Sequence, residues 1–109
     1  MSVKETIETL TDKMNANPEP ISGLSYVYQF NLSGDDSGVY QLKIENGEAA
    51  YTEGESWEAR LTLEMSDKNF KKLAQDDLNP TMAYMGGKLK VQGDLSHALK
   101  FHGLIQQYQ

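Results

Sequence analysis

Along the chain the spacing of apolar positions switches between two periods, and each switch marks a new kind of element. Val3, Ile7, Leu10 and Met14 recur every three or four positions, which predicts an amphipathic helix over Val3 to Ala16. Ser2, with Glu5 three residues later, supplies a capping-box pattern at its start. Asn17-Pro18-Glu19-Pro20 ends it, because proline lacks an N–H donor and restricts the residue before it. From Leu24 the period falls to two, so that Leu24, Tyr26, Tyr28, Phe30 and Leu32 share one face of a strand. A turn from Ser33 to Gly38 leads to a second alternating run through Tyr40, Leu42 and Ile44. Asn46-Gly47 then predicts a tight type I′ hairpin into a weaker third strand through Ala49 and Tyr51.

Trp57, Ala59, Leu61, Leu63 and Met65 alternate with Glu58, Arg60, Thr62 and Glu64, which predicts a fourth strand, antiparallel and half buried. Helical spacing returns after Ser66, which caps a helix carrying Phe70, Leu73 and Ala74. Asn79-Pro80 opens a short helix through Met85 that Gly86 is expected to end in the left-handed conformation. Lys88 to Gln92 reads as a fifth strand, and Asp94 caps a last helix. On that helix Leu95, Ala98, Leu99, Phe101, Leu104, Ile105 and Tyr108 cover more than the stripe of about 100° that a surface helix needs. It is therefore expected to lie between layers or to cover something apolar.

At 109 residues, with 39% hydrophobic and 24% charged residues, the chain fits one domain spanning residues 1–109. No stretch reaches the ~18 apolar residues of a membrane span. The opening MSVKETIETL lacks the basic start and apolar centre of a signal peptide, so a cytoplasmic location is expected. The absence of cysteine excludes disulfides, thiolate metal sites and a cysteine nucleophile. Ten basic against sixteen acidic residues give a net charge of -6, the wrong sign for gripping nucleic acid.

Candidate chemistry is sparse. His97 and His102 lie about 140° apart around a helix and cannot share a metal from one face. Gly86-Gly87-Lys88 lacks the earlier glycine and the hydroxyl of a phosphate loop, with Leu89 in the hydroxyl's place. Asp35-Asp36 lacks the alternating ligands of a calcium loop and reads as a solvated hairpin tip. The carboxylates fall on outward faces or in turns. No cofactor, metal site or catalytic set is expected, and hence no enzyme. What remains is apolar: Met65, Met82 and Met85, with Phe70, Tyr84 and Phe101, offer a surface that flexible thioethers can re-pack. Ordinary core is the alternative for the same residues.

The segment MGGKLKVQGDLSHALKFHGL, from Met85 to Leu104, resembles the C-terminal segment of the sterol carrier protein type 2 family. The N-terminal helix, the Tyr/Phe-rich strand, the Asn-Gly hairpin and the Asn-Pro before the methionines agree with it. The resemblance implies an α+β fold, with a five-stranded, largely antiparallel sheet and helices packed on one face around an apolar tunnel. It places Leu89 and Val91 in the last strand, with Gly93 and Asp94 turning the chain into the covering helix. The implied function is binding and intracellular transfer of lipids, whether fatty acids, acyl chains or sterol-like molecules. Candidate lining residues are Trp57, Leu61, Met65, Phe70, Leu73, Met82, Met85, Leu95, Leu99, Phe101 and Ile105.

The implied partners are a lipid or fatty acyl ligand and, transiently, a membrane. The alternative is a non-catalytic interaction or dimerisation module with a vestigial pocket, whose partner would be a second copy. The ending Gln107-Tyr108-Gln109 is not a peroxisomal signal of Ser-Lys-Leu type, which favours a bacterial stand-alone member or an otherwise cytoplasmic version. A dry, empty tunnel of ~300 Å³ would cost about 7 kcal/mol, too much for a domain of ~5 to 15 kcal/mol net stability. Any tunnel is therefore expected to be filled, wet at its mouth, or partly collapsed without ligand.

Overall fold

The computed structural model of the chain describes residues 1–109. Its elements are α1 (Val3–Ala16), a 3-10 turn (Glu19–Ile21), β1 (Tyr26–Ser33), β2 (Gly38–Glu45), β3 (Glu48–Glu53), β4 (Leu61–Ser66), α2 (Asp67–Ala74), α3 (Pro80–Met85), β5 (Lys90–Gln92) and α4 (Leu95–Gln106). The strands form one sheet in the order β3-β2-β1-β4-β5. This is the expected α+β architecture with a five-stranded, mostly antiparallel sheet. No helix is long and apolar enough to cross a membrane.

The helix starts follow their capping chemistry. Ser2 Oγ accepts the Glu5 N–H at 3.1 Å while Glu5 Oε1 accepts the Ser2 N–H at 3.0 Å, closing the capping box of α1. Ser66, Asn79 and Asp94 cap α2, α3 and α4 through their side chains. Gly47 and Asn46, both at positive φ, make the hairpin between β2 and β3. The left-handed residue after α3 is Gly87 (φ 76°) rather than Gly86 (φ -84°).

Period-two alternation fixes the two faces of the sheet. Tyr28, Phe30, Leu42, Ile44, Leu61 and Leu63 point to one side and are buried. There they meet Val3, Ile7, Leu10 and Met14 of α1, Phe70 and Leu73 of α2, and Phe101 and Ile105 of α4 in one contiguous core. All the helices thus cover the same face.

Two strand expectations are corrected. β4 is parallel to β1, with Phe30 opposite Leu63, and antiparallel only to β5. It also begins at Leu61 instead of Trp57. Both differences have one cause. β3 and β4 lie on opposite sides of the β1–β2 pair, so the chain between them must cross the sheet, and it does so over the face opposite the helices. Gln41, fully buried, holds this strap: its Nε2 donates to the Trp57 carbonyl at 2.8 Å and its Oε1 accepts the Trp57 N–H at 2.9 Å. The same Nε2 reaches Gln29 Oε1 at 2.9 Å, and the Arg60 N–H donates to the Val27 carbonyl at 3.0 Å. Trp57 and Ala59 therefore belong to the strap, and their alternation does not reflect strand pairing.

Smaller shifts have local reasons. β1 starts two residues after Leu24, whose N–H closes the preceding turn on the Ile21 carbonyl at 3.1 Å. β5 starts after Leu89, because the N–H groups of Lys88 and Leu89 both donate to the Ala83 carbonyl at the end of α3. Leu89 is buried all the same.

The Asp35-Asp36 turn is more than a solvated tip. Asp36 Oδ2 accepts the Val3 N–H at 2.7 Å, and the Asp36 N–H donates to Asp67 Oδ2 at 2.9 Å. This relay joins the starts of α1 and α2 through the β1–β2 turn. The N–H of Asp36 holds the Asp67 carboxyl below its ordinary range, against the opposing effect of burial, with the Lys68 N–H assisting. A lowered folded value means that the contribution is complete above the unfolded value of about 3.9 and is lost as pH falls through the folded one. Asp67→Asn should therefore lower stability at neutral pH and flatten the acid limb below about pH 4. Circular dichroism melts across that range read the change. An acid limb as steep in the variant as in the parent would remove Asp67 from this role.

Candidate functional site

The helix-facing side of β1 carries the chain's aromatic layer. Tyr28 and Phe30, two residues apart, point to this side, and α2 and α4 bring Phe70 and Phe101 down onto them. The Phe30 ring lies 5.0 Å from Phe70 and 5.6 Å from Phe101, and Tyr28 lies 4.5 Å from Phe101. These are the tilted contacts that aromatic quadrupoles favour. Burial pushes the Tyr28 hydroxyl up to about 12, so it stays neutral and the layer carries no charge.

Tyr26, also on this side, closes one end of the layer. His97 of α4 stacks on it at 4.9 Å and the Arg60 guanidinium lies 4.8 Å from the ring centre. Burial raises the Tyr26 hydroxyl, with Arg60 opposing.

The C-terminal half of α4 is pinned. His102 Nε2 lies 2.9 Å from Asp76 Oδ1 just beyond α2, Gln109 Nε2 donates to the Ala74 carbonyl at 2.9 Å, and the Tyr108 hydroxyl donates to the Asn17 carbonyl at 2.7 Å. The N-terminal half has fewer ties. Leu95 and Leu99 are 37% and 43% exposed. They stand in one i, i+4, i+7 row with His102, so they flank the side of α4 that faces the connection from α2 to α3.

α3 itself buries only Pro80 and Ala83, leaving Met82 and Met85 71% and 80% exposed.

The candidate lining residues fall into three places. Leu61, Met65, Phe70, Leu73, Phe101 and Ile105 lie in the core beneath the helices, packed against one another and against Tyr28, Phe30 and Leu63. Together they belong to one contiguous core cluster. Met82, Met85, Leu95 and Leu99 lie on the outside of α3 and α4. Trp57 lies on the opposite face of the sheet, with Lys43 Nζ 4.5 Å above its ring, and does not join the others. Tyr28 and Phe30, left out of the candidate set, are the residues the set surrounds. Their alternation with Gln29 and Asn31 was the available signal, since a helix-covered face must carry the apolar partners of Phe70 and Phe101.

A concavity of about 690 Å³ opens at the ends of β1 and β4 beside the β1–β2 turn. Its walls are mainly polar, with Asn31, Ser37, Asn69, Lys88 and Lys90, while Leu32 and Met65 form the part nearest the core. No group of three or more His, Asp or Glu side chains is placed to hold a metal ion.

With this geometry in view, comparison with known proteins is informative. A sequence model of the SCP-2 sterol transfer family matches residues 5–106. The chain is 35% identical over 106 residues to "Hydroxysteroid dehydrogenase-like protein 2" of Xenopus tropicalis, a match covering 96% of this chain and 25% of that protein. It thus spans about a quarter of the length of the curated relatives it matches. Among solved structures, the sterol carrier protein domain 2 of Helicoverpa armigera superposes with a TM-score of 0.76 at 23% identity, over 96% of this chain and 85% of that one. The sterol carrier protein 2 of Aedes aegypti, solved in complex with palmitate, superposes with a TM-score of 0.71 at 16% identity, over 95% and 97% of the two chains.

Proposed function

We propose, from the premise that the chain belongs to the SCP-2 sterol transfer family, that it binds a fatty acyl chain between the sheet and its helices and carries it between donor and acceptor. The observation that carries this reading is the contrast between a dense aromatic layer and the lightly held α3 beside it. Tyr28, Phe30, Phe70 and Phe101 offer a wall of uncharged surface. α3 is anchored by two buried side chains and is followed by Gly86-Gly87, so it can move aside without breaking the sheet. The palmitate held by the Aedes aegypti protein supports the ligand class.

Burying ten methylenes at ~0.8 kcal/mol each gives about 8 kcal/mol before ordering costs, enough for roughly micromolar binding. In this reading ligand enters by displacing packed side chains, and the net affinity lies at or below that level. In this reading the chain performs no chemical step: cargo enters and leaves unchanged. The test is displacement of a fluorescent fatty-acid probe by palmitate. Saturable displacement in the micromolar range is the expected result, and a probe that neither binds nor is displaced by any acyl ligand overturns it.

A further inference from the structure

Charge is unevenly divided along the chain. The first 79 residues hold seven Lys or Arg against fifteen Asp or Glu, a net of -8, whereas residues 80–109 hold three Lys and one Asp, a net of +2. The same thirty residues carry Met82, Tyr84, Met85, Leu95 and Leu99, which are all the large exposed apolar side chains except Met1. Lys88 and Lys100, from the same stretch, are exposed, and neither forms an ion pair, whereas Lys90, opposite Glu64, points to the other face of the sheet. Among the neighbouring acids, Asp94 accepts the Ser96 N–H and hydroxyl, Asp76 meets His102, and Glu64 accepts from Gln92.

We propose that α3, the turn through Lys88, β5 and the N-terminal half of α4 form a docking surface for an anionic lipid membrane. Met82, Met85, Leu95 and Leu99 would enter the headgroup region, while Lys88 and Lys100 meet lipid phosphates and carboxylates. Two features favour a membrane over a second copy of the chain. Exposed methionine and leucine side chains together with unpaired lysines match a surface that is apolar below and anionic above. The net -8 on the rest of the molecule is repelled by that surface, so the protein approaches with this face first. The proposal rests on the lipid-binding reading, for which the same face would be the place where cargo crosses.

The test is co-sedimentation with vesicles of phosphatidylcholine, alone or mixed with phosphatidylserine. Three double variants are compared, each checked for folding by circular dichroism: M85D/L99D, K88E/K100E, and K4E/K13E, which makes the same charge change on α1. Docking on this face means that the parent prefers the mixed vesicles and is released by salt. M85D/L99D and K88E/K100E should each weaken binding roughly tenfold, and K4E/K13E much less. Equal losses from the two lysine pairs, or parental binding by both test variants, overturn the proposal. So does a parent that ignores vesicles and is a dimer that M85D/L99D dissociates in light scattering, which assigns the face to a second copy. Probe displacement in vesicle-free buffer separates the two readings: a parent that binds fatty acid but not vesicles loses only the docking surface, and the reverse result loses only the cargo.

Discussion

Phe101→Ala should destabilise the unliganded protein by about 3 to 5 kcal/mol and, at the same time, enlarge the stabilisation it gains from palmitate. Phe101 is fully buried and touches both Tyr28 and Phe30, so its removal leaves a hole beneath α4 that the neighbouring rings only partly refill. A loss of that size is a large fraction of the ~5 to 15 kcal/mol that holds such a domain together. An acyl chain entering the parent must displace side chains from this space, whereas in the variant part of the space is vacated. Ligand binding to the folded state adds stability that grows with the logarithm of affinity, so the shift in melting temperature on adding palmitate should be larger for Phe101→Ala than for the parent. Thermal melts with and without palmitate read both effects together. A variant that loses stability and also responds less to palmitate would place the cargo elsewhere.

Gln41→Leu should destabilise by roughly 2 to 5 kcal/mol while leaving palmitate binding intact. The substitution strips partners from the Trp57 N–H, the Trp57 carbonyl and Gln29 Oε1, all at least partly buried beneath the strap. Each such group costs about 1 to 3 kcal/mol when it cannot recover a partner, less where the loosened strap admits water. The strap lies on the face away from the helices, so its loosening should not reach the aromatic layer. Urea denaturation followed by the single tryptophan reports the loss directly, since Trp57 sits in the strap itself. An unchanged urea midpoint would mean that the strap is held by other contacts.

The parts of this fold that show in the sequence are those where one face of a regular element is buried. β1 shows because Tyr28, Phe30 and Leu32 alternate with Gln29 and Asn31, and α1 because its apolar residues keep one stripe and Ser2-Glu5 marks its start. The partner of β4 does not show, since period two is the same for parallel and antiparallel neighbours. Its beginning was obscured because Trp57 and Ala59 continue the alternation by chance while a buried glutamine, not a strand, holds that segment.

The candidate site divides along the same line. Helical spacing groups Met82 with Met85 and Leu95 with Leu99, but spacing cannot report whether anything covers them. Phe70, Phe101 and Ile105 were legible as core partners because each continues a stripe that also carries buried neighbours. The relay from Val3 through Asp36 to Asp67 spans more than thirty residues in each step and leaves no local pattern at all.

Intermolecular nuclear Overhauser contacts from isotope-labelled palmitate test the location of the cargo most directly. An acyl chain lying between sheet and helices must show contacts to Phe30, Phe70, Met65 and Phe101, and none to Val27, Lys43 or Trp57 on the opposite face. Contacts confined to that opposite face, or none at saturating palmitate, would contradict a lipid-binding layer beneath α3 and α4.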